Sequence, residues 1–176
     1  MTGEPEQGGA GDRLDQSVQV LKLVWFGLFA GGIMLTAAVV VLVMIGAGGQ
    51  ANFGPAKYIF LLPVPFGLFA AFTLASWLTT PNPVSAADME HVPANLRPNY
   101  DDPMHWYPAY MTQFFLRAGF LEGCMVLCAI GFFITGDWAI LAGPVILLAA
   151  FLAAIPTRGG AEAFAEVSRQ KVRGEK

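Results

Sequence analysis

The stretch that most constrains this chain is residues 114–134, FFLRAGFLEGCMVLCAIGFFI, an apolar run charged only at Arg117 and Glu122. About 20 apolar residues in a helix cross a ~30 Å hydrocarbon core. Lipid offers no hydrogen-bond partners, so such a run must satisfy its own backbone as a helix. Three more runs have the same character, at 23–46, 58–78 and 138–155. The chain is 55% hydrophobic and 13% charged, about half the charged content of a soluble domain. The sequence therefore predicts an all-α integral membrane protein with four transmembrane helices. Residues 135–137 are too short a connection for anything but an antiparallel hairpin between the last two spans. The glycine-containing segment 47–57 makes a second hairpin of the first two. Run 23–46 exceeds the 7–15 apolar residues of a secretory signal and stays as a span.

The polar segments divide the rest. Residues 1–19 are glycine-rich and polar, a composition that predicts a disordered tail before a membrane domain at 20–156. Residues 79–113 form the longest polar connection, and prolines at 81, 83, 93, 98, 103 and 108 argue against a long helix there. Residues 157–176 read as a polar tail with a short helix-forming piece at 161–169. Pro63 and Pro65 predict a kink near 59–61. Arg13, Lys22, Arg97, Arg158, Arg169, Lys171, Arg173 and Lys176 fall on one side of a four-span arrangement, and Lys57 alone falls on the other. The positive-inside bias places both termini and loop 79–113 in the cytoplasm, in the cell membrane.

Several function classes lose support at this point. With a net charge of −3 and no basic stripe, the chain is not expected to bind nucleic acid. His91 and His105 lie near Asp88, Glu90, Asp101 and Asp102 but lack a short metal-ligand spacing, so a solvated acidic loop is expected and no metal. Cys124 and Cys128 sit four apart inside the third run, where free thiols pack as small hydrophobes. No nucleotide loop, paired catalytic carboxylates or nucleophile–base pair is evident. The expectation is therefore no enzyme and no cofactor. The expected partners are the lipid bilayer and either a second copy or another membrane protein.

Glu122 is the residue with chemistry to explain. It lies ~12 Å inside the third run, at ~1.5 Å per residue. A carboxyl at that depth must be neutral or paired. Arg117 is ~140° round the helix and a poor partner. It is shallow enough to snorkel, and with Trp106, Tyr107 and Tyr110 it forms the expected interfacial anchor. Gly31 and Gly32 lie at the depth of Glu122 in the first span and leave room for a carboxyl, while Thr73 in the second offers a hydroxyl. Glu122, Thr73, Gly31 and Gly32 are therefore the predicted intramembrane polar site. Gly27 with Gly31, and Gly119 with Gly123, form small-xxx-small pairs predicted to pack helices closely.

Two likenesses add to this reading. Sliding the first span onto the third places Phe29 on Phe120, Gly32 on Gly123 and Met34 on Met125; residues 65–72 match 144–151 in the same way. The pattern suggests a parallel internal repeat of hairpins. The Leu121-Glu122-Gly123 run also resembles the proteolipid c subunits of rotary ATPases, which hold an ion-binding carboxyl beside glycines in a helical hairpin. In that family the carboxyl is on the second helix of the hairpin, against a ladder of glycines. Here it is on the first and the ladder is missing, so the resemblance implies no shared activity. The leading expectation is a multi-pass component that works through partners or self-association. The alternative is proton- or cation-coupled transport centred on Glu122.

Overall fold

The computed structural model describes residues 10–49, 51, 53–80 and 99–173. Every regular element among them is helical. Helix α1 spans Ala10–Met44, α2 spans Gly54–Thr79, α3 spans Pro103–Thr135, α4 spans Trp138–Ala153 and α5 spans Arg158–Arg173. Three of these, α1 from Gly11, α2 and α3, are long and apolar enough to cross a membrane; α4 makes a fourth only when counted together with α5. The chain divides into two compact units. One is built from Met1–Lys22, Thr79–Thr112 and Pro156–Lys176, the other from Leu23–Leu78 and Gln113–Ile155.

The second unit is organised around α3. Its inward stripe is Phe114, Ala118, Leu121, Met125, Cys128 and Phe132, nearly all inaccessible, at the i, i+4, i+7 spacing of one helix face. Each neighbour meets this stripe where one partner is small. A Cβ built on Gly67 of α2 would lie 2.9 Å from the Cys124 Cβ, and one on Gly143 of α4 would lie 3.0 Å from the Cys128 Sγ. Gly131 of α3 itself receives Phe60, whose Cβ and Cγ would collide with a Cβ built on that glycine. On α1, Gly32 accommodates the Met125 thioether. Trp25 of α1 donates its indole N–H to the Phe151 carbonyl of α4 at 3.1 Å.

Helix α2 changes type along its length. It is 3-10 over Gly54–Leu61, α over Pro63–Phe69, π over Ala70–Leu74 and α again over Ala75–Thr79. The break expected from Pro63 and Pro65 appears as the 3-10 to α transition at Leu62, whose N–H bonds to the Ile59 carbonyl at 3.1 Å. The π turn was not foreseen. It adds one residue to a turn, and Ala70, Ala71 and Ala75 beside it are wholly buried.

The two loops at the far end of this unit join through backbone. Gly49 N–H donates to the Phe133 carbonyl at 2.8 Å and Ala51 N–H to that of Ile134 at 3.2 Å. Gly49 and Gly136 touch with φ of +81° and +62°, a region only glycine enters cheaply. Asp137 caps α4 by accepting from Ala139 N–H at 2.9 Å, and its carboxylate pairs with Lys57 at 2.5 Å. That ammonium holds the Asp137 carboxyl below its ordinary value.

The first unit corrects three expectations. Of residues 1–19, expected to be disordered, 1–9 lie outside the described residues and 10–19 are helical. Their composition is polar, but Leu14, Val18 and Leu21 form a buried stripe that continues the helix phase of Trp25, and burial outweighs composition. The long connection is shorter than expected because α3 begins at Pro103. Pro103 stands where no backbone N–H is needed, and Asp102 caps the helix by accepting from Met104 N–H at 2.9 Å. Pro108 forfeits one internal bond, which the buried Trp106 and Tyr110 on either side offset. The tail expected from 157 is the helix α5 up to Arg173, with Ala161, Ala165 and Ser168 on its buried side. Arg158 ties α5 to Asp15 at 2.8 Å, and Asp101 accepts from Arg169 at 3.3 Å and from Arg173 at 2.8 Å.

Candidate functional site

Glu122 lies on α3, one residue beyond the wholly buried Leu121. That step turns it ~100° from the inward stripe, and it is half-buried. Among the described residues it makes no hydrogen bond and no ion pair. The residues predicted to surround it are placed elsewhere. Gly31 would have nothing within 4 Å of a Cβ, and Thr73 is exposed on α2. Gly32 does face inward, but Met125 and Leu148 fill the space beside it. Within the second unit the inward positions of α1 are Trp25 and Gly32. Gly31 is ~100° round from Gly32, so both α1 glycines cannot face α3 together. Thr36, the one polar side chain of the first run, is satisfied by donating to the Gly32 carbonyl at 2.9 Å.

The predicted packing pairs also turn outward. A Cβ on Gly27, Gly31, Gly119 or Gly123 would meet nothing within 4 Å. Close packing falls instead to Gly67, Gly131 and Gly143. The signal for α2 was present in the sequence as Gly67, Ala71 and Ala75, a small residue every fourth position. Positions matched by the proposed repeat have different surroundings, since Gly32 is buried and Gly123 opens outward.

The anchoring residues need the same correction. Trp106 and Tyr110 are buried in the first unit. The indole of Trp106 donates to the Tyr100 carbonyl at 3.0 Å, and the Tyr107 hydroxyl to the Ser17 carbonyl at 2.7 Å. Arg117 docks on α2, where its guanidinium donates to Ser76 Oγ at 2.9 Å and lies 5.9 Å from the Phe72 ring centroid. The aromatic residues exposed at the ends of the apolar segments are Trp77 (72%), Trp138 (58%) and Tyr58 (48%), the residue types that settle at headgroup level. Trp77 adjoins Ser76 and so marks the level of Arg117. From Arg117 to Thr135, next to Trp138, α3 rises ~27 Å, close to one hydrocarbon thickness. Glu122 then lies ~7.5 Å inside the Trp77 level, shallower than the apolar run alone implied.

The described residues also form concave regions. A cleft of about 470 Å³ in the first unit is lined by Tyr100, Asp101, Trp106, Glu162, Glu166 and Arg169 among others. Its carboxylates are engaged by Arg158, Arg169 and Arg173. An apolar groove of about 400 Å³ in the second unit is lined by Ile59, Leu62, Pro63, Phe66, Cys124 and Leu127. Among the described residues no cluster of three or more His, Cys, Asp or Glu side chains is placed to hold a metal ion; His91, Asp88 and Glu90 lie outside them. No protein-family model, curated protein or solved structure matches the chain.

Proposed function

We propose that this is a multi-pass membrane protein that acts by lateral association in the bilayer and not by catalysis. In this reading it has four spans, with both termini and residues 79–113 on the cytoplasmic side. The carrying observation is that the small-xxx-small pairs of α1 and α3 both face away from their own unit. Helix association in lipid depends on close backbone approach, and these two faces are open for it among the described residues. The lysine and arginine distribution supports the orientation. The test is to place leucine at Gly27 and Gly31, or at Gly119 and Gly123. Open space at all four positions among the described residues leaves the fold intact, so the expected result is a smaller complex in mild detergent with no loss of stability in the isolated chain. An unchanged complex with all four substituted refutes the reading.

A second reading, proton- or cation-coupled transport, is supported by one observation: Glu122 stands within the apolar helix α3 with no hydrogen-bond or ion-pair partner among the described residues. Vesicles carrying the purified protein and a pH-sensitive dye separate the two. Association predicts equal flux from wild type, Glu122→Gln and protein-free vesicles. Flux abolished by Glu122→Gln selects transport.

A further inference from the structure

We propose that α5 is a latch on the first unit: it pivots at its first turn and is held shut at its far end by the Asp101 carboxylate. The latch lies within one unit and works whether or not the chain associates laterally. Opening it widens the cleft between α5 and residues 100–106 and uncovers the Trp106 side of that cleft.

Three observations carry this. The first is how loosely α5 is packed. The side chains it buries, Ala161, Ala165 and Ser168, are all small, and small side chains remove little apolar area from water. The cleft of about 470 Å³ lies beside it, with Tyr100 and Trp106 on one wall and Glu162, Ala163 and Glu166 on the other. A helix docked by interdigitated side chains leaves no such space. The Ser168 hydroxyl is buried with no hydrogen-bond partner among the described residues, a cost that water removes once the helix lifts. The second observation is what closes the far end. Arg169 and Arg173, one turn apart on one helix face, both donate to Asp101 Oδ1, at 3.3 Å and 2.8 Å. The Asp101 side chain is 65% exposed, so these pairs are weak and screened by salt. The third is the anchored near end. The Tyr110 hydroxyl donates to the Thr157 carbonyl and accepts from the Thr157 N–H, both at 3.4 Å. Arg158 holds Asp15 at 2.8 Å, and the Phe164 ring meets Tyr110 with 5.9 Å between centroids. Between these fixed points stand Gly159 and Gly160, which loosen the first turn.

The test is hydrogen–deuterium exchange of the full chain in nanodiscs at about 20 mM and about 1 M salt, conditions of weak and strong screening. A helix as short as α5 is marginal in water by itself, so each opening exposes its amides. Residues 165–173 should exchange about fivefold faster or more at high salt, while residues 10–21 and 106–112 keep their rates. Asp101→Asn should give the fast rate already at low salt and leave less than about twofold for salt to add. Its site is exposed enough for the variant to fold. Exchange of residues 165–173 that is indifferent to both salt and Asp101→Asn overturns the proposal. So does an Asp101→Asn variant as salt-sensitive as wild type, since Asp101 then does not hold the helix. Residues 10–21 quickening together with α5 also overturns it, because the unit then opens as a whole.

Discussion

Two sets of glycines in this protein look alike in sequence and differ entirely in position. Gly67, Gly131 and Gly143 sit where a neighbouring helix presses on the backbone. Gly27, Gly31, Gly119 and Gly123 look out into open space. The first set builds the unit around α3, and the second leaves two smooth faces unused. Small residues in apolar helices therefore carry two meanings, and helix phase separates them. Gly119 and Gly123 flank Leu121 at two positions either side, ~200° round the helix, while Gly131 falls beside the inward stripe.

Substitution by alanine is the sharpest way to break this comparison. The largest effect is expected at Gly131→Ala, whose Cβ would collide with both Cβ and Cγ of Phe60. Those atoms lie near the backbone and cannot swing aside, so a loss of about 2–3 kcal/mol is expected. Unfolding in detergent would measure it, and a neutral result would mean that Phe60 does not occupy this socket. Gly143→Ala meets the Cys128 Sγ at 3.0 Å and Leu61 at 3.2 Å, and about 1–2 kcal/mol is expected.

Gly123→Ala should act in the opposite direction. With nothing within 4 Å, it relieves glycine's backbone entropy in a helix and stabilises the isolated chain by up to about 1 kcal/mol. A destabilisation there would show that the face is covered within a single chain. Ser168→Ala probes a small inward position in the first unit and should have the smallest effect. The Ser168 hydroxyl is buried without a hydrogen-bond partner among the described residues, so removing it should be neutral or slightly stabilising.

The loop ends give a pH-dependent contrast to these apolar contacts. Asp137 has its carboxyl held below the ordinary value of 3.8, chiefly by the hydrogen bond from Lys57. A lowered folded value contributes stability that is complete above the unfolded value and lost as pH falls through the folded one. Asp137→Asn should therefore be less stable than wild type at neutral pH. The difference should shrink below about pH 4, while the cost of Gly131→Ala stays constant across the same range. Thermal unfolding of both variants at several pH values checks this.

Much of the architecture was legible in the residues. The apolar runs mark the helices because their length and lack of charge leave no other way to satisfy the backbone in lipid. The hairpin of α3 and α4 follows from three connecting residues. The break in α2 follows from its prolines. Less legible was anything decided by helix phase across sequence-distant partners. Residues 10–19 looked disordered by composition, and only the burial of Leu14 and Val18 shows why they are helical. Trp106 and Tyr110 looked like membrane anchors, but they are buried in the first unit, and Trp77 and Trp138 are the exposed aromatics at the ends of α2 and α4 instead.

The same division applies to Glu122. By itself the sequence determined that a carboxyl lies within an apolar helix, because the residues on either side of it are apolar over several turns. Which way it points is a tertiary matter. The side of α3 that turns inward is chosen by Met125, Cys124 and Cys128 packing against Gly32, Gly67 and Gly143. Once those contacts form, ~100° per residue leaves Glu122 at the edge of the stripe, with Met125 in the place expected for it beside Gly32.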